Sequence, residues 1–429
     1  MSLSLIVFLV IFAVLFLLNI PIAFVLLISS TIYLIANGHD ISLVVQSTIS
    51  GMNDFLLLAI PFFILAAELL NKAGISERIF NFADSFVGRV HGGMAHTNVL
   101  SSVVFSGMSG SSSADAAGLG TMLIRSMEKK GFDRPFSAAV TASSSVIGPI
   151  IPPSVPMVLY SSIAGVSVGQ IFLAGVIPGI LTAIALMVVC YIIARKRKYP
   201  LASEPFSFKN VLVTFKQAFF GLMAPVILLG GIYSGFFTPT EAAVVAVVYA
   251  FMVGLLIYKK IGLKDLKEVL MNTAVNTAIV GILIGAASLF AWVLTIENIP
   301  NQLSSLFIAL DTSPWVFLLI VNILLLILGL FMEINAIMLI TVPILLPVIQ
   351  FLEIDPVHFG VIVVVNLMVA TLTPPFGMIT LLVSGIANVP IERMLRELTP
   401  FFVVLVVVLI MVTYIPQVPM FLPEMLMSD

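Results

Sequence analysis

Long apolar runs separated by short polar loops fill the chain from end to end. Eight runs fit a simple membrane crossing, at 4–18, 20–36, 54–71, 171–193, 217–236, 240–258, 271–295 and 399–417, since a crossing helix takes about 20 mainly apolar residues. The first begins with no basic stretch and continues past Asn19-Ile20-Pro21. It therefore reads as two closely connected membrane helices and not as a cleaved signal.

Four further segments depart from that template. Residues 93–123 and 314–350 are too short for two crossings and a turn, and each has a polar centre: Ser106 to Asp115 in the first, Gly329 to Asn335 in the second. Both read as re-entrant hairpins, a backbone form tolerated in lipid only where protein or a cavity surrounds it. Residues 135–164 and 359–387 are long for one crossing and are interrupted by Pro152-Pro153 and Pro374-Pro375. Proline lacks the N–H and restricts the residue before it, so each segment predicts two half-helices with unwound backbone between them.

These four segments form two matched sets. Gly107 and Gly329, Pro153 and Pro375, and Pro178 and Pro400 are each 222 residues apart, and Ile163-Ala164 recurs as Ile386-Ala387 after a one-residue slip. The order of hairpin, broken helix and closing helix is the same in both. The predicted organisation is N-terminal scaffold helices over 1–71, a first transport repeat over 72–193, scaffold and arm helices over 194–295, and a second repeat over 296–429. Amphipathic stretches near Phe208–Lys216 and Lys264–Met271 flank the ordinary spans of the middle part.

Composition decides which solvent the chain lives in. Hydrophobic residues make up 60% of 429 positions and charged residues 9%, with a mean hydropathy of +1.20. No soluble protein hides that much apolar surface, so the lipid bilayer is the solvent. All nineteen lysines and arginines fall in the loops at 72–91, 124–134, 194–216, 259–270 and 391–396. The positive-inside rule makes that face cytoplasmic and places both termini in the periplasm. Loops near 37–52, 296–313 and 351–358 carry only acidic residues and histidine. Five crossings separate the hairpins, so they open to opposite faces, an inverted repeat with its solute site at the midplane. The predicted fold class is an all-α polytopic membrane protein built on such repeats. One cysteine and four scattered histidines argue against a zinc site, and no basic patch points to nucleic acid.

Polar residues at membrane depth mark the candidate chemistry. Ser111, Ser112 and Ser113 offer hydroxyl donors near half-helix N-termini, a combination suited to a carboxylate. Small residues also let helices pack closely, and that reading stays open. Glu333 and Asn335 hold the same level in the second hairpin, able to bind solute hydroxyls, support a sodium ion or tie the hairpin together. Asp115 reads as a half-helix cap. The breaks at Gly148–Ser154 and Ala370–Gly377 free carbonyl oxygens near Ser144, Ser145, Thr371 and Thr373. Such a set suits Na⁺ better than a divalent ion, with a kink holding water as the plainer alternative. Glu68 and Glu241 lie near span ends, and His358 reads as a loop residue. Gly107-Met108-Ser109-Gly110 has the Gly-x-Ser-Gly form of a rhomboid protease, but no histidine lies in a later span to serve as base, and no enzyme is expected.

The motifs SGMSGSSSADAAGLG at 106–120, IGPIIPPSVPMVLY at 147–160, GLFMEINAIMLITVPILLP at 329–347 and ATLTPPFGM at 370–378 resemble the large membrane subunit of tripartite ATP-independent periplasmic (TRAP) transporters, the DctM-type family. The resemblance covers essentially the whole chain and is nearest the sialic-acid branch. It implies a bacterial inner-membrane protein working as a sodium-driven elevator, with a small membrane subunit and a periplasmic substrate-binding protein as partners. It implies one sodium held by Ser106, Ser109, Gly148, Ile151 and Pro152, and another by Gly329, Thr371, Thr373 and Gly377. Ser111–Ser113, Ser154 and Glu333 would face the solute. N-acetylneuraminate is the implied organic acid, with a C4-dicarboxylate as the alternative. The residue-level reading alone also fits a stand-alone sodium–dicarboxylate symporter.

Overall fold

Pro21 and Asn19, the latter at φ 59°, separate α1 (Leu3–Leu17) from α2 (Ile22–Ala36). Each has 15 residues and so spans only about 22 Å, short of a full hydrocarbon core. The computed structural model describes residues 3–200, 207–373 and 377–427, and no strand occurs among them. Next, α3 (Ser42–Met52) bends by 65° through a 3₁₀ turn at Leu56–Leu58 into α4 (Ala59–Lys72). Gly74, at φ 71°, then turns the chain into α5 (Ile75–Val87), which buries Ile75, Ile79 and Ala83.

The first unusual segment comes next as α6 (Gly93–Ser109), α7 (Ser112–Gly118) and α8 (Gly120–Lys129). The first broken helix is α9 (Arg134–Ser145) and α10 (Val155–Ala164), joined by non-helical backbone in which the Pro152–Pro153 bond is cis. It closes with α11 (Val168–Arg197). The middle part is α12 (Phe208–Tyr233), α13 (Pro239–Met252), which runs into a π turn at Val253–Ile257, and α14 (Leu263–Ile296). After α15 (Ile299–Ala309) the second set comprises α16 (Pro314–Leu328), α17 (Ile334–Phe351), α18 (Pro356–Ala370), α19 (Met378–Ala387) and α20 (Ile391–Tyr414), with α21 (Gln417–Met427) last. The Pro374-Pro375 break itself lies outside the described residues.

Several details correct the sequence reading. The stretches read as loops at 37–52, 72–91 and 296–313 carry α3, α5 and α15, each packed on a neighbouring helix: α5 lays an apolar face on α6 and α12 and α15 one on α17, while α3 meets α14 through Thr48 and Gly51 and leaves Val45 and Ile49 exposed. The amphipathic stretches at Phe208–Lys216 and Lys264–Met271 are not separate elements but the first turns of α12 and α14. His358 is no loop residue: it is buried in α18, and its Nε2 lies 2.8 Å from the Val412 carbonyl. Among the described residues six helices are by themselves long and apolar enough to cross a membrane, and the bent α3–α4 pair taken as one span makes a seventh.

The internal repeat is carried by the helix boundaries more sharply than by the side chains. Helix α17 begins at Ile334, 222 residues after α7 at Ser112, and α18 at Pro356, 222 after α9 at Arg134. After a one-residue slip, α19 begins at Met378, 223 after α10 at Val155, and α20 at Ile391, 223 after α11 at Val168. Packing between the sets is reciprocal. Helix α10 lies on α17 and α18, and its counterpart α19 lies on α7, α8 and α9; α9 lies on α20, and α18 on α11. Each half-helix beyond a break thus covers the other set's hairpin, and the two sets interlock around one core that includes Tyr160, Phe136, Phe172, Phe359 and Phe401.

Candidate functional site

The interlocking brings each hairpin tip against a helix break. At the first tip α6 ends on Gly110, at φ 59°, a left-handed conformation that glycine adopts without steric cost. A Cβ placed there would lie 2.4 Å from the Pro153 carbonyl oxygen, and one on Gly148 would lie 3.2 Å from the Ser111 carbonyl. Bare backbone is therefore what lets residues 107–111 approach residues 148–153. At the second tip a Cβ on Gly329 would lie 2.3 Å from the Ala370 Cβ, next to Thr371. One on Gly377 would lie 2.7 Å from the Thr371 carbonyl oxygen and 2.9 Å from that of Thr373.

Beyond each tip the same capping device recurs. Ser111 is the N-cap of α7: its Oγ accepts from the Ala114 N–H at 3.4 Å and lies 3.1 Å from the Ser113 hydroxyl. Glu333, 222 residues on, is the N-cap of α17. Its Oε2 accepts from the Asn335 and Ala336 N–H groups at 3.0 and 3.3 Å, and its Oε1 accepts from Asn335 Nδ2 at 2.7 Å. In both, a side chain two residues further on is tied to the cap. The carboxylate is thereby spent on the helix end, and Asn335 Oδ1 remains buried with no partner. Ser154 is likewise an N-cap, accepting from the Met157 N–H at 3.3 Å and donating to the Pro149 carbonyl at 2.5 Å.

The expected sodium ligands fall into two groups that match the two breaks. Ser106 Oγ donates to the Val103 carbonyl at 2.6 Å, Thr371 Oγ1 to that of Met368 at 2.6 Å, and Thr373 Oγ1 to that of Val369 at 3.2 Å. A donating hydroxyl keeps its lone pairs, so each of these can still serve a cation. Ser109 Oγ is buried without a partner, and the Ile151 side chain packs against Gly179 on α11, leaving only its backbone for the break. Thr371, Thr373 and Gly377 converge on one another, with Gly329 against the adjoining Ala370. The orphaned hydroxyl and the glycine-lined approaches fit small, weakly charged oxygen cages. No cluster of three or more acidic, histidine or cysteine side chains occurs among the described residues.

A family description, the DctM component of tripartite ATP-independent periplasmic transporters, matches residues 9–418. The chain belongs to that family and is a TRAP transporter large permease. The sialic acid TRAP transporter large permease protein SiaM of Vibrio cholerae is 44% identical over 412 residues, covering 95% of this chain and 96% of that one. The C4-dicarboxylate TRAP transporter large permease protein DctM of Pseudomonas aeruginosa is 43% identical over 372 residues, covering 87% of each. The Alcanivorax borkumensis YdaH transporter shares the fold, at a TM-score of 0.64 and 15% identity over 86% of each chain.

Three features of this permease have no signal in the sequence. Asp54, just before the 3₁₀ turn, accepts from the Leu56 N–H at 2.9 Å and also from the Ser162 hydroxyl on α10, linking the α3–α4 bend to the first broken helix. Asp115 does not cap α7, since Ser111 does, and both its oxygens are buried without a partner. On the basic side, Arg197 at the end of α11 bonds Glu397 of α20 at 2.7 Å and lies 3.5 Å from Asp133 ahead of α9. Tyr199 donates to Asp133 at 2.6 Å, and burial, then that bond, pushes its hydroxyl up to about 12. Partners 64 to 200 residues apart cannot be paired by spacing alone.

Proposed function

We propose that this permease carries N-acetylneuraminate, delivered by a periplasmic binding protein, across the bacterial inner membrane on a sodium gradient, together with a small membrane subunit. The observation that carries the reading is the pair of glycine-lined tip-and-break sites on one interlocked body, in a chain 44% identical along its length to a permease named for sialic acid. The two repeats, clamped by the Arg197 cluster and their shared core, move as one unit against a frame of α1–α4 and α12–α14, an elevator. Sodium held at the two breaks draws the tips onto them and completes the solute site. Ser111–Ser113 and Asn335 then offer hydroxyls and an amide to the solute, Ser154 holds the half-helix α10 whose N-terminus attracts its carboxylate, and Glu333 fixes the start of α17. The basic loops face the cytoplasm and the termini the periplasm.

A second reading rests on the 43% identity to a C4-dicarboxylate permease: the same machine with a smaller diacid. The test is uptake of labelled N-acetylneuraminate into proteoliposomes holding the chain and its small subunit, with external sodium and binding protein each present or omitted. Uptake only with both supports the proposal. Movement of succinate instead, under the same requirements, replaces the substrate but keeps the mechanism. Transport without any binding protein points to a stand-alone symporter and overturns the tripartite assignment.

A further inference from the structure

Asp115 lies on α7 with 2% of its surface exposed, and neither carboxylate oxygen has a hydrogen-bond partner. A buried charge is costly unless it is paired or hydrogen-bonded. The helices packed on α7 are α6, α8, α9 and α19. Their charged or titratable groups are His96 on α6, Arg125, Glu128 and Lys129 on α8, and Arg134 on α9, while α19 has none; α4, whose Asn71 meets Gly118 of α7, carries Glu68 and Lys72. His96 Nε2 is 3.1 Å from the His91 carbonyl, Arg134 lies 3.9 Å from Glu128, and no ion pair among the described residues involves Asp115.

One neighbouring hydroxyl, Ser102, is near enough to act on the carboxylate, which competes with Ser144 for its proton. Ser102, beside Asp115, donates to Ser144 Oγ at 3.0 Å. Ser144 donates to Asn98 Oδ1 at 2.9 Å, Asn98 Nδ2 to Thr141 Oγ1 at 2.7 Å, and Thr141 to the Ser137 carbonyl at 2.9 Å. Beyond Ser102, every donor in this relay is used in the direction leading away from the carboxylate. Asn98, Ser102, Ser106 and Ser109 also succeed one another at helical spacing, on one face of α6. Ser106 is therefore about one turn, on the order of 6 Å, beyond the hydroxyl next to Asp115. The cage around Ser106 and the unpartnered Ser109 contains no formal charge of its own.

We propose that Asp115 supplies the negative charge against which a monovalent cation is held in the first repeat. The inference rests on the sodium-driven reading and adds a determinant to it: neutral oxygens give the cage its geometry, and Asp115 sets its affinity. In the second repeat the position in register with Asp115 is Ile337, and the carboxylate of that tip is Glu333, which caps α17. At roughly 6–8 Å and an effective dielectric of about 20, removing a unit charge weakens cation binding on the order of tenfold to a hundredfold.

The test uses the purified chain in lipid nanodiscs, with thermal unfolding followed against sodium, choline serving as the inert replacement, and separately against pH. The expected result is stabilisation of the wild type by sodium, with the half-effect concentration raised at least tenfold in Asp115→Asn at unchanged helix content. If acid rather than sodium stabilises the wild type and Asp115→Asn abolishes the response, the cation is a proton; the sodium reading then fails while the role of Asp115 stands. If Asp115→Asn responds to sodium and to pH as the wild type does, the proposal is overturned. Should Asp115→Asn not fold, Asp115→Glu, which moves the charge by one methylene, must shift the half-effect concentration, and an unshifted one overturns it equally.

Discussion

Substituting Gly110 by alanine tests whether the first hairpin tip is seated on the first break, without removing a single side chain. Two costs are expected. At φ 59° an alanine is held left-handed, worth about 1 kcal/mol. Its Cβ would also stand 2.4 Å from the Pro153 carbonyl oxygen, so tip and break must part by at least ~0.6 Å to reach even the closest contact real Cβ atoms make. Forced overpacking of that kind costs about 1–3 kcal/mol, for a total of about 2–4 kcal/mol. Gly165→Ala is the matched control, because Gly165 also ends a helix in the left-handed region, at φ 68°, with nothing within 4 Å of its Cβ position. It carries the first cost alone. The difference between the two variants in thermal unfolding of the purified protein isolates the collision. In proteoliposomes, Gly110→Ala lowers uptake roughly fivefold to a hundredfold beyond Gly165→Ala, the same energy read at the site. Should the two variants match within about 0.5 kcal/mol and in uptake, the tip does not rest on Pro153 and the first tip-and-break site is wrongly assembled.

Glu333→Ala removes the acceptor for three hydrogen bonds at the start of α17 and is expected to cost about 1–2 kcal/mol of stability, whereas Glu333→Gln keeps an acceptor and most of the cap; equal melting of the two variants argues against a capping role. Cysteines replacing Asp54 and Ser162 test the elevator, since the frame and the first broken helix must separate there. Oxidative cross-linking should arrest uptake and reductant restore it, with the native Cys190 buried and out of the way; full uptake in a cross-linked sample rules out that movement. Arg197→Ala frees Glu397 and Asp133, all partly exposed, so the loss is about 1 kcal/mol and should shrink in high salt; a salt-independent loss points to packing against Phe136 instead.

Solvent and local backbone chemistry are the two influences that the sequence by itself turned into structure. Lipid imposes apolar runs of fixed length, so most spans, the two polar hairpin centres and the doubled Pro-Pro pattern are legible in one pass. Proline and glycine act on their own residue, which is why Pro152-Pro153 predicts a break between α9 and α10 without knowledge of any neighbour. Helices α3, α5 and α15 were hidden because short helices are stabilised by the helix they pack on, not by their own residues. Only the tertiary structure decided that Ser111 and Glu333, unlike in chemistry, are the same capping position of two repeats, and that the carboxylate of Glu333 serves a helix end. Only the fold could show Asp115 without a partner, since the lack of a neighbour in space leaves no trace along the chain.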